Sequence, residues 1–478
     1  MALPGLTRHA PTLDVPTLDV RDVQGLVVRG YGRLPHAAFL ACRIRDAQGT
    51  RAVLHDLIGE VGSGVGHDAD TALQVAFTAS GLVALGLRDD VVERGFAAPF
   101  VEGMTTEHRQ RLLGDVGATD PRHWAWGGPD TPPVHVLLLV YAASAGLLDE
   151  RRGALLAAAG GALELVADLP TDELGDREAF GFADGLTQPR LAGLPGAPRH
   201  GGHGGRTLPT GEFVLGYPNA YGQLAPRPLL DPTADPQRIL RRDPGGSGKA
   251  DLGCNGSYLV LRQLRQDVDT FTGFLRERTR RADGAEDEQA QERLAAKMVG
   301  RWRSGAPLVL APDRDAPETA YLDFGYHAED PDGLACPIGA HIRRANPRDA
   351  LPPQPGSERS LQLTDHHRLL RRGRTYTQNG ERGLHFLCLV GDLSRQYEFV
   401  QHSWINDPVF DGLHDDADPL VAPRGPRGGT FVEQVLPVRR RHRDLPEFVR
   451  VRGGAYFFLP GLSALRYLTQ ILQDEESS

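Results

Sequence analysis

With 478 residues, 40% apolar and 24% charged, the chain has ample material for a buried core and for two to three domains or one duplicated unit. Its formal charge of −9 argues against a nucleic-acid partner. No apolar run reaches the roughly eighteen residues that span a bilayer, residues 134–140 being too short, and residues 1–10 show neither a leader pattern nor twin arginines, so no membrane partner and a cytoplasmic location are expected.

In chain order, residues 11–15 and 16–20 repeat Pro-Thr-Leu-Asp-Val, which predicts an extended N-terminal arm over residues 1–21. Residues 25–45 read as strand, turn and then helix or second strand, with Leu34-Pro35 as the break. Residues 53–61 read as helical, 71–85 mix strand and helix spacing, and 89–114 are mostly helical with Gly103 interrupting. Residues 134–141, bounded by Pro132-Pro133, form the clearest strand of the first half, and a helical stretch follows to residue 156. Residues 191–205 and 225–248 are rich in Gly, Pro and Arg, and a domain boundary is expected there. Residues 257–276 read as a strand leading into a helix, and 287–302 as an amphipathic helix ended by Ser304-Gly305. A strand at 384–390 followed by a helical stretch at 393–400 repeats the arrangement of the first half. The echo of Val-His-Val-Leu-Leu-Leu-Val in Leu-His-Phe-Leu-Cys-Leu-Val hints at two copies of one fold, although two apolar strands also match by chance. Residues 449–459 read as a strand and 462–472 as a last helix before an acidic tail.

Two stretches carry chemistry. In Cys-Pro-Ile-Gly-Ala-His-Ile-Arg-Arg-Ala-Asn-Pro-Arg-Asp, residues 336–349, Pro337 and Gly339 break any helix before His341 and Pro347 limits one after it, so the imidazole sits on a short constrained segment. A neutral imidazole is a good axial ligand for haem iron, and Arg343, Arg344 and Arg348 suit anionic propionates. The same residues also describe a solvated surface turn. In Ala-Phe-Gly-Phe-Ala-Asp-Gly-Leu-Thr-Gln-Pro, residues 179–189, Asp184 stands between glycines and aromatics, where Asp-Gly alone would be an ordinary turn pair.

Taken together, Gly-Phe-Ala-Asp-Gly and Ala-His-Ile-Arg-Arg-Ala-Asn-Pro-Arg resemble the paired signatures of the dye-decolourising (DyP-type) haem peroxidases. Residues 24–32, 78–82, 113–115, 211–217, 255–260 and 300–302 resemble that family in its order, so the likeness runs from about residue 22 to about residue 465, closest to the longer members. It implies an α+β fold of two ferredoxin-like halves, of the dimeric α+β barrel type, with haem bound in the C-terminal half. The expected domains are the arm at 1–21, an N-terminal ferredoxin-like domain at 22–225 carrying the distal Asp motif, and a C-terminal ferredoxin-like haem-binding domain at 226–478.

The resemblance also implies roles. His341 is the proximal ligand of haem iron, with Arg343 among the cofactor-binding residues. Asp184 is the distal acid–base group, since a carboxylate can take a proton from hydrogen peroxide and return it to the leaving oxygen. Arg371, in Leu-Arg-Arg-Gly-Arg-Thr-Tyr, supplies fixed positive charge and contacts the cofactor, with Arg372 as the alternative one register away. Leu384 and Phe386 match an apolar pair over the distal haem face, and strand alternation turns His385 away. Asp418 is a candidate acceptor for the other N–H of His341, with Asp407 and Asp411 as rivals. Tyr376 matches a surface radical position, and Tyr397, Trp302 and Trp404 are further oxidisable side chains. The four cysteines, Cys42, Cys254, Cys336 and Cys388, form no zinc spacing and no Cys-x-x-Cys-His attachment, so haem b is expected to be non-covalent. The implied partners are hydrogen peroxide and aromatic small-molecule electron donors. Haem handling with iron release, or haem storage, is the alternative, and the presence of both Asp184 and an arginine favours catalysis because mere binding requires neither.

Overall fold

The computed structural model describes residues 17–66, 69–194, 206–319, 322–425 and 428–471. Most of the repeated pentapeptide, much of the 191–205 loop and the acidic tail lie outside the described residues.

The first half is a β-α-β-β-α-β unit. Strand β1, His36–Ile44, begins just after Pro35 and is buried along nearly its whole length. The Asp46 carboxylate accepts the N–H groups of Gln48 and Gly49 and so starts helix α1, Ala47–Leu57. Strand β2, Thr71–Phe77, is followed by short helices, and Gly103, at φ +73°, closes one of them as expected. Strand β3, Val136–Ala142, is entirely buried, and the Ser144 hydroxyl caps helix α2, Ala145–Ala159, which leads to strand β4, Leu163–Pro170. β1 pairs antiparallel with β3 and β4, and β3 with β2, giving the order β2-β3-β1-β4.

The second half repeats the plan with longer insertions. Strand β5, Ser257–Gln266, is followed by helices α3, Val268–Thr279, and α4, Glu288–Val299. A one-turn helix α5, His341–Ala345, precedes strands β6, Leu370–Arg371, β7, Arg374–Gln378, and β8, Glu381–Val390. A π-helical stretch at Ser394–Glu398 and Val400–Ile405 stands where α2 stands in the first half, and strand β9, Val449–Leu459, and helix α6, Leu462–Thr469, complete the unit. The order is β6-β8-β5-β9, with β7 also on β8. Second, third, first, fourth is the same permutation as in the first half, and a β9–β2 contact, Phe458 opposite Phe77, fuses both into one nine-stranded sheet. The fold is therefore α+β with two ferredoxin-like halves. The two echoing apolar runs lie in β3 and β8, the third strand of each half.

Three local details depart from the sequence pattern. Residues 25–28 form one helical turn, not a strand, because the buried Gln24 side chain donates to the carbonyls of Val75 and Pro460 and accepts from the Val75 N–H. α4 ends at Gly300, at φ +100°, ahead of Ser304-Gly305; a Cβ there would lie 2.4 Å from Ile342, so glycine permits close approach of α4 to α5. The helical stretch after β8 continues to Ile405 in π form.

The halves are also tied by a buried ion pair. Arg109, from the insertion before β3, donates to Glu398 at 2.7 Å, and the Tyr456 hydroxyl donates to the other Glu398 oxygen at 2.9 Å. Removing one partner strands a desolvated charge. Arg109→Ala is expected to cost ~3–5 kcal/mol in denaturant unfolding, whereas Arg111→Ala, which removes the exposed pair with Glu107, is expected to leave the midpoint in place.

Candidate functional site

Residues 336–349 hold His341 as the sequence predicts, on a constrained segment. Ala340 has extended backbone, and α5 starts at His341 itself. The imidazole Nδ1 lies 2.9 Å from the Asp418 Oδ2. Asp418 has no solvent exposure, and its Oδ1 accepts the N–H groups of Leu420 and Val421, both at 2.9 Å. Burial alone would raise the Asp418 carboxyl, but His341 and these backbone donors outweigh it and hold it below the usual range. Burial likewise disfavours charge on His341, and the Asp418 carboxylate outweighs it and raises the imidazole. In the neutral imidazole, Asp418 as acceptor places the hydrogen on Nδ1 and leaves Nε2 its lone pair. The His341 side chain is 31% accessible although it lies inside the protein, since its free edge opens into a cavity of about 330 Å³.

The opposite wall is sheet. Alternation along β5, β8 and β9 turns Arg262, Leu264 and Gln266, Leu384 and Phe386, and Val449 and Val451 into the cavity. His385 points to the other face, buried against Tyr376 and 3.1 Å from the Pro170 carbonyl. Arg371 leaves β6 toward the cavity, its backbone N–H bound to Gln188 Oε1 at 3.0 Å and its guanidinium 3.4 Å from Asp184 Oδ1. Arg372 goes the other way, donating to the carbonyls of Leu26 and Val27, where burial pulls it down to about 10.

Asp184 is aimed by a stapled loop. The buried Glu178 carboxylate accepts the N–H groups of Phe180 and Phe182 at 2.9 and 2.8 Å, and the Gln266 side chain donates to it. Gly181 and Gly185 take φ +91° and +71°, and the Gly185 N–H donates to Asp184 Oδ1 at 2.6 Å. Arg303 bonds the Phe180 carbonyl and lies over the Phe182 ring, pinning the loop to the segment after α4. At this end the cavity also meets Arg301, Arg348 and Arg368, which burial shifts down, the first two to about 10.

No family model matches the chain. Curated relatives do. A "Dye-decolorizing peroxidase" of Exidia glandulosa is 29% identical over 483 residues, 95% of this chain and 88% of the relative, and one of Mycena epipterygia is 29% identical over 445 residues, 83% and 75%. Among solved structures, an ancestral D-type dye-decolorizing peroxidase superposes with a TM-score of 0.75 at 26% identity, covering 94% of this chain and 99% of that one. The Auricularia auricula-judae enzyme, at 24% identity and a TM-score of 0.76 over 95% of this chain and 100% of that one, shares the fold.

Over nearly its whole length the chain resembles the dye-decolourising peroxidase family.

That family depends on haem, and the cavity fits one. It combines a lone-pair imidazole edge on the helical wall, an apolar middle, and a cationic end made by Arg301, Arg348 and Arg368, which suits the two carboxylates of a porphyrin.

Two expectations fail. Arg343 does not reach the cavity: it donates to the carbonyls of Asp330 and Cys336, pairs with Asp330 at 3.3 Å and lies over the Tyr326 ring. Arg344 is likewise spent on the carbonyls of Trp404, Asp407 and Asp416. In a helix starting at His341 a residue two places on lies about 200° around the axis, so Arg343 faces away from His341, while Ile342 and Ala345 line the cavity. Of the three arginines only Arg348 lines the cavity. Tyr376 is not a surface residue either, being 1% exposed and stacked on His385 at 4.5 Å. Asp407 and Asp411 make no contact with His341. Glu178 and Gln188 were invisible in the sequence pattern because Gln266 and Arg371, which they meet, lie 88 and 183 residues away, Arg368 because no local pattern marks it, and Arg301 stood in a matching stretch that named no role.

If Asp418 sets the His341 lone pair, Asp418→Ala weakens haem affinity by about 10- to 100-fold. Haem titration followed by absorbance checks this.

Proposed function

We propose that the cavity binds haem b non-covalently through His341 Nε2, and that the chain is a peroxidase reducing hydrogen peroxide and oxidising aromatic, dye-type donors in one-electron steps. The observation that carries this reading is the meeting of three groups from distant parts of the chain on one cavity, His341 on the helical wall and Asp184 with Arg371 across from it. A pocket for storage requires only the first. All four cysteines are buried and unpaired, which agrees with a reducing, cytoplasmic setting. Iron release has a partial sequence counterpart in a "Deferrochelatase" of Yersinia pestis, 30% identical over 235 residues, 47% of this chain and 38% of the relative, and nothing in the pocket favours it.

When bound, haem supplies the two-electron exchange with peroxide and the single-electron exchanges with donors. The protein supplies position and protons. Asp418 fixes the tautomer and orientation of His341 and makes its Nε2 more basic. Asp184 spends Oδ1 on the Gly185 N–H and Arg371, leaving its second oxygen to take the proton from the bound end of peroxide and deliver it to the departing oxygen, which leaves as water. Arg371, held by Gln188, keeps a fixed positive charge beside the oxygen on which negative charge grows. Leu384 and Phe386 close the apolar side and limit the water that competes for that proton.

The two groups are expected to fail differently. Asp184→Asn removes the proton acceptor at constant size, so the reaction with peroxide slows by about 10² to 10⁴. Arg371→Leu removes one electrostatic group, an expected loss on the order of 10² to 10³, while Arg372→Leu leaves that rate near the parental value. Stopped-flow absorbance of each haem-loaded variant mixed with peroxide decides it; a parental rate in Asp184→Asn contradicts the assignment.

A further inference from the structure

Between the π-helical stretch and β9 the chain forms a two-stranded antiparallel hairpin, Gly429–Glu433 with Arg440–Leu445, outside the nine-stranded sheet. Its base is fixed. Phe431 and Leu445 have no solvent exposure, Asp416 Oδ2 accepts the Val432 N–H at 3.0 Å, and His442 Nε2 lies 2.6 Å from Glu433 Oε1. Gln434, where the tip begins, accepts the Ile338 N–H at 3.1 Å. The tip itself covers nothing. Leu436 and Val438, 81% and 75% exposed, are the most exposed large apolar side chains among the described residues, and the exposed Arg439, Arg440, Arg441 and Arg443 follow at once. A soluble chain that holds two apolar side chains out on a rigid stem has something for them to meet.

The segment that passes Gln434 lines a second cavity, of about 360 Å³; a Cβ on Gly333 would lie 3.2 Å from Gln434 Oε1. Pro331 and the half-exposed Leu334 make part of its wall apolar, and the buried Lys297 is held there by the carbonyls of Leu334 and Ala335. The exposed carboxylates of Asp313, Glu329 and Asp332 outnumber the exposed Arg293 around it. Arg439 and Arg443 on the hairpin, and Asp313 and Asp332 at the cavity, have no ion-pair partner among the described residues. A basic apolar projection thus stands beside an acidic, partly apolar recess that it does not fill.

We propose that tip and recess are the two parts of one self-complementary interface, through which two copies of the chain associate about a two-fold axis, each placing its Leu436–Val438 tip in the other's cavity. An interface of this symmetry needs a patch that meets its complement on the partner and is met by it in return, and adjacent projection and recess supply both. Leu436 and Val438 leave water against Pro331 and Leu334, while arginines approach carboxylates, which fixes the register and speeds encounter. A basic apolar tip also suits an anionic lipid surface, but lipid headgroups would repel the carboxylates beside it, whereas a second copy uses both signs of charge. The association requires no chemistry at the haem site and stands apart from the peroxidase reading.

Sedimentation velocity of the haem-loaded full chain at micromolar concentrations tests this. The expected species has twice the 51.9 kDa mass of one chain and dissociates as salt is added. Leu436→Glu, at a side chain the fold leaves in water, is expected to weaken association by about 10- to 100-fold with the unfolding midpoint unchanged. Two charge-reversed proteins, Arg439→Glu with Arg443→Glu and Asp313→Arg with Asp332→Arg, are each expected to sediment as single chains. Mixed in equal amounts they regain the dimer, because both contacts of the mixed pair again join opposite charges. A parent that sediments as one chain overturns the proposal, and so does a dimer that survives Leu436→Glu or a folded charge-reversed pair that does not recover on mixing. Flotation of a monomeric parent with phosphatidylglycerol vesicles, abolished by Leu436→Glu, assigns the hairpin to a lipid surface and overturns it as well.

Discussion

A carboxylate without solvent is tolerated only where its charge is met on every side, and Asp418 is the point from which the site of this protein is built. Two backbone N–H groups hold one of its oxygens and His341 holds the other. Leaving either oxygen unmet would strand a buried charge at a cost of several kcal/mol, so the geometry of the 418–421 turn and that of the imidazole fix each other. The turn is itself anchored, the Asp418 N–H on the Ile405 carbonyl at the end of the π-helical stretch and the Asp418 carbonyl on Arg424. The aim of one ring therefore depends on a π-helix, a turn and a one-turn helix together. α4 comes close enough to complete this layer only because residue 300 has no side chain.

Duplication explains why the site lies where it does. Both halves lay their strands in the same order, yet the second half alone has an insertion of about seventy residues between its helices and its second strand, and that insertion delivers α5. The first half contributes by reaching across: the loop after β4 carries Asp184 to Arg371 on β6, and Gln188 from the same loop holds the Arg371 backbone. The face that carries Asp184 and Arg371 is thus made by a strand of one half and a loop of the other. That loop keeps its shape because a buried carboxylate, Glu178, holds two of its N–H groups.

Much of this was legible in the sequence, for identifiable reasons. Strands β3, β5, β8 and β9 are apolar runs bounded by proline, glycine or charge, and period-two alternation separates Leu384 and Phe386 from His385 without any structure. His341 was legible because proline and glycine constrain its backbone locally. What the sequence does not show is where an arginine spends its donors. Arg343 stands two residues from His341, and only the start of α5 at His341 reveals that the two face apart. Arg371 and Arg372 differ by one strand position, and the pairing of Leu370 and Arg371 with Leu389 and Cys388 decides between them. Tyr376 reads as an accessible phenol until β7 buries it on β8.

The account turns on one atom, the His341 Nε2 facing the cavity while Nδ1 is held by Asp418. A crystal structure of the haem-loaded protein tests this most directly. The account predicts iron bound to His341 Nε2, with Asp184 and Arg371 on the opposite face of the porphyrin and its carboxylates toward Arg301, Arg348 and Arg368. Iron bound through another residue, or Asp184 and His341 on the same face, would contradict it.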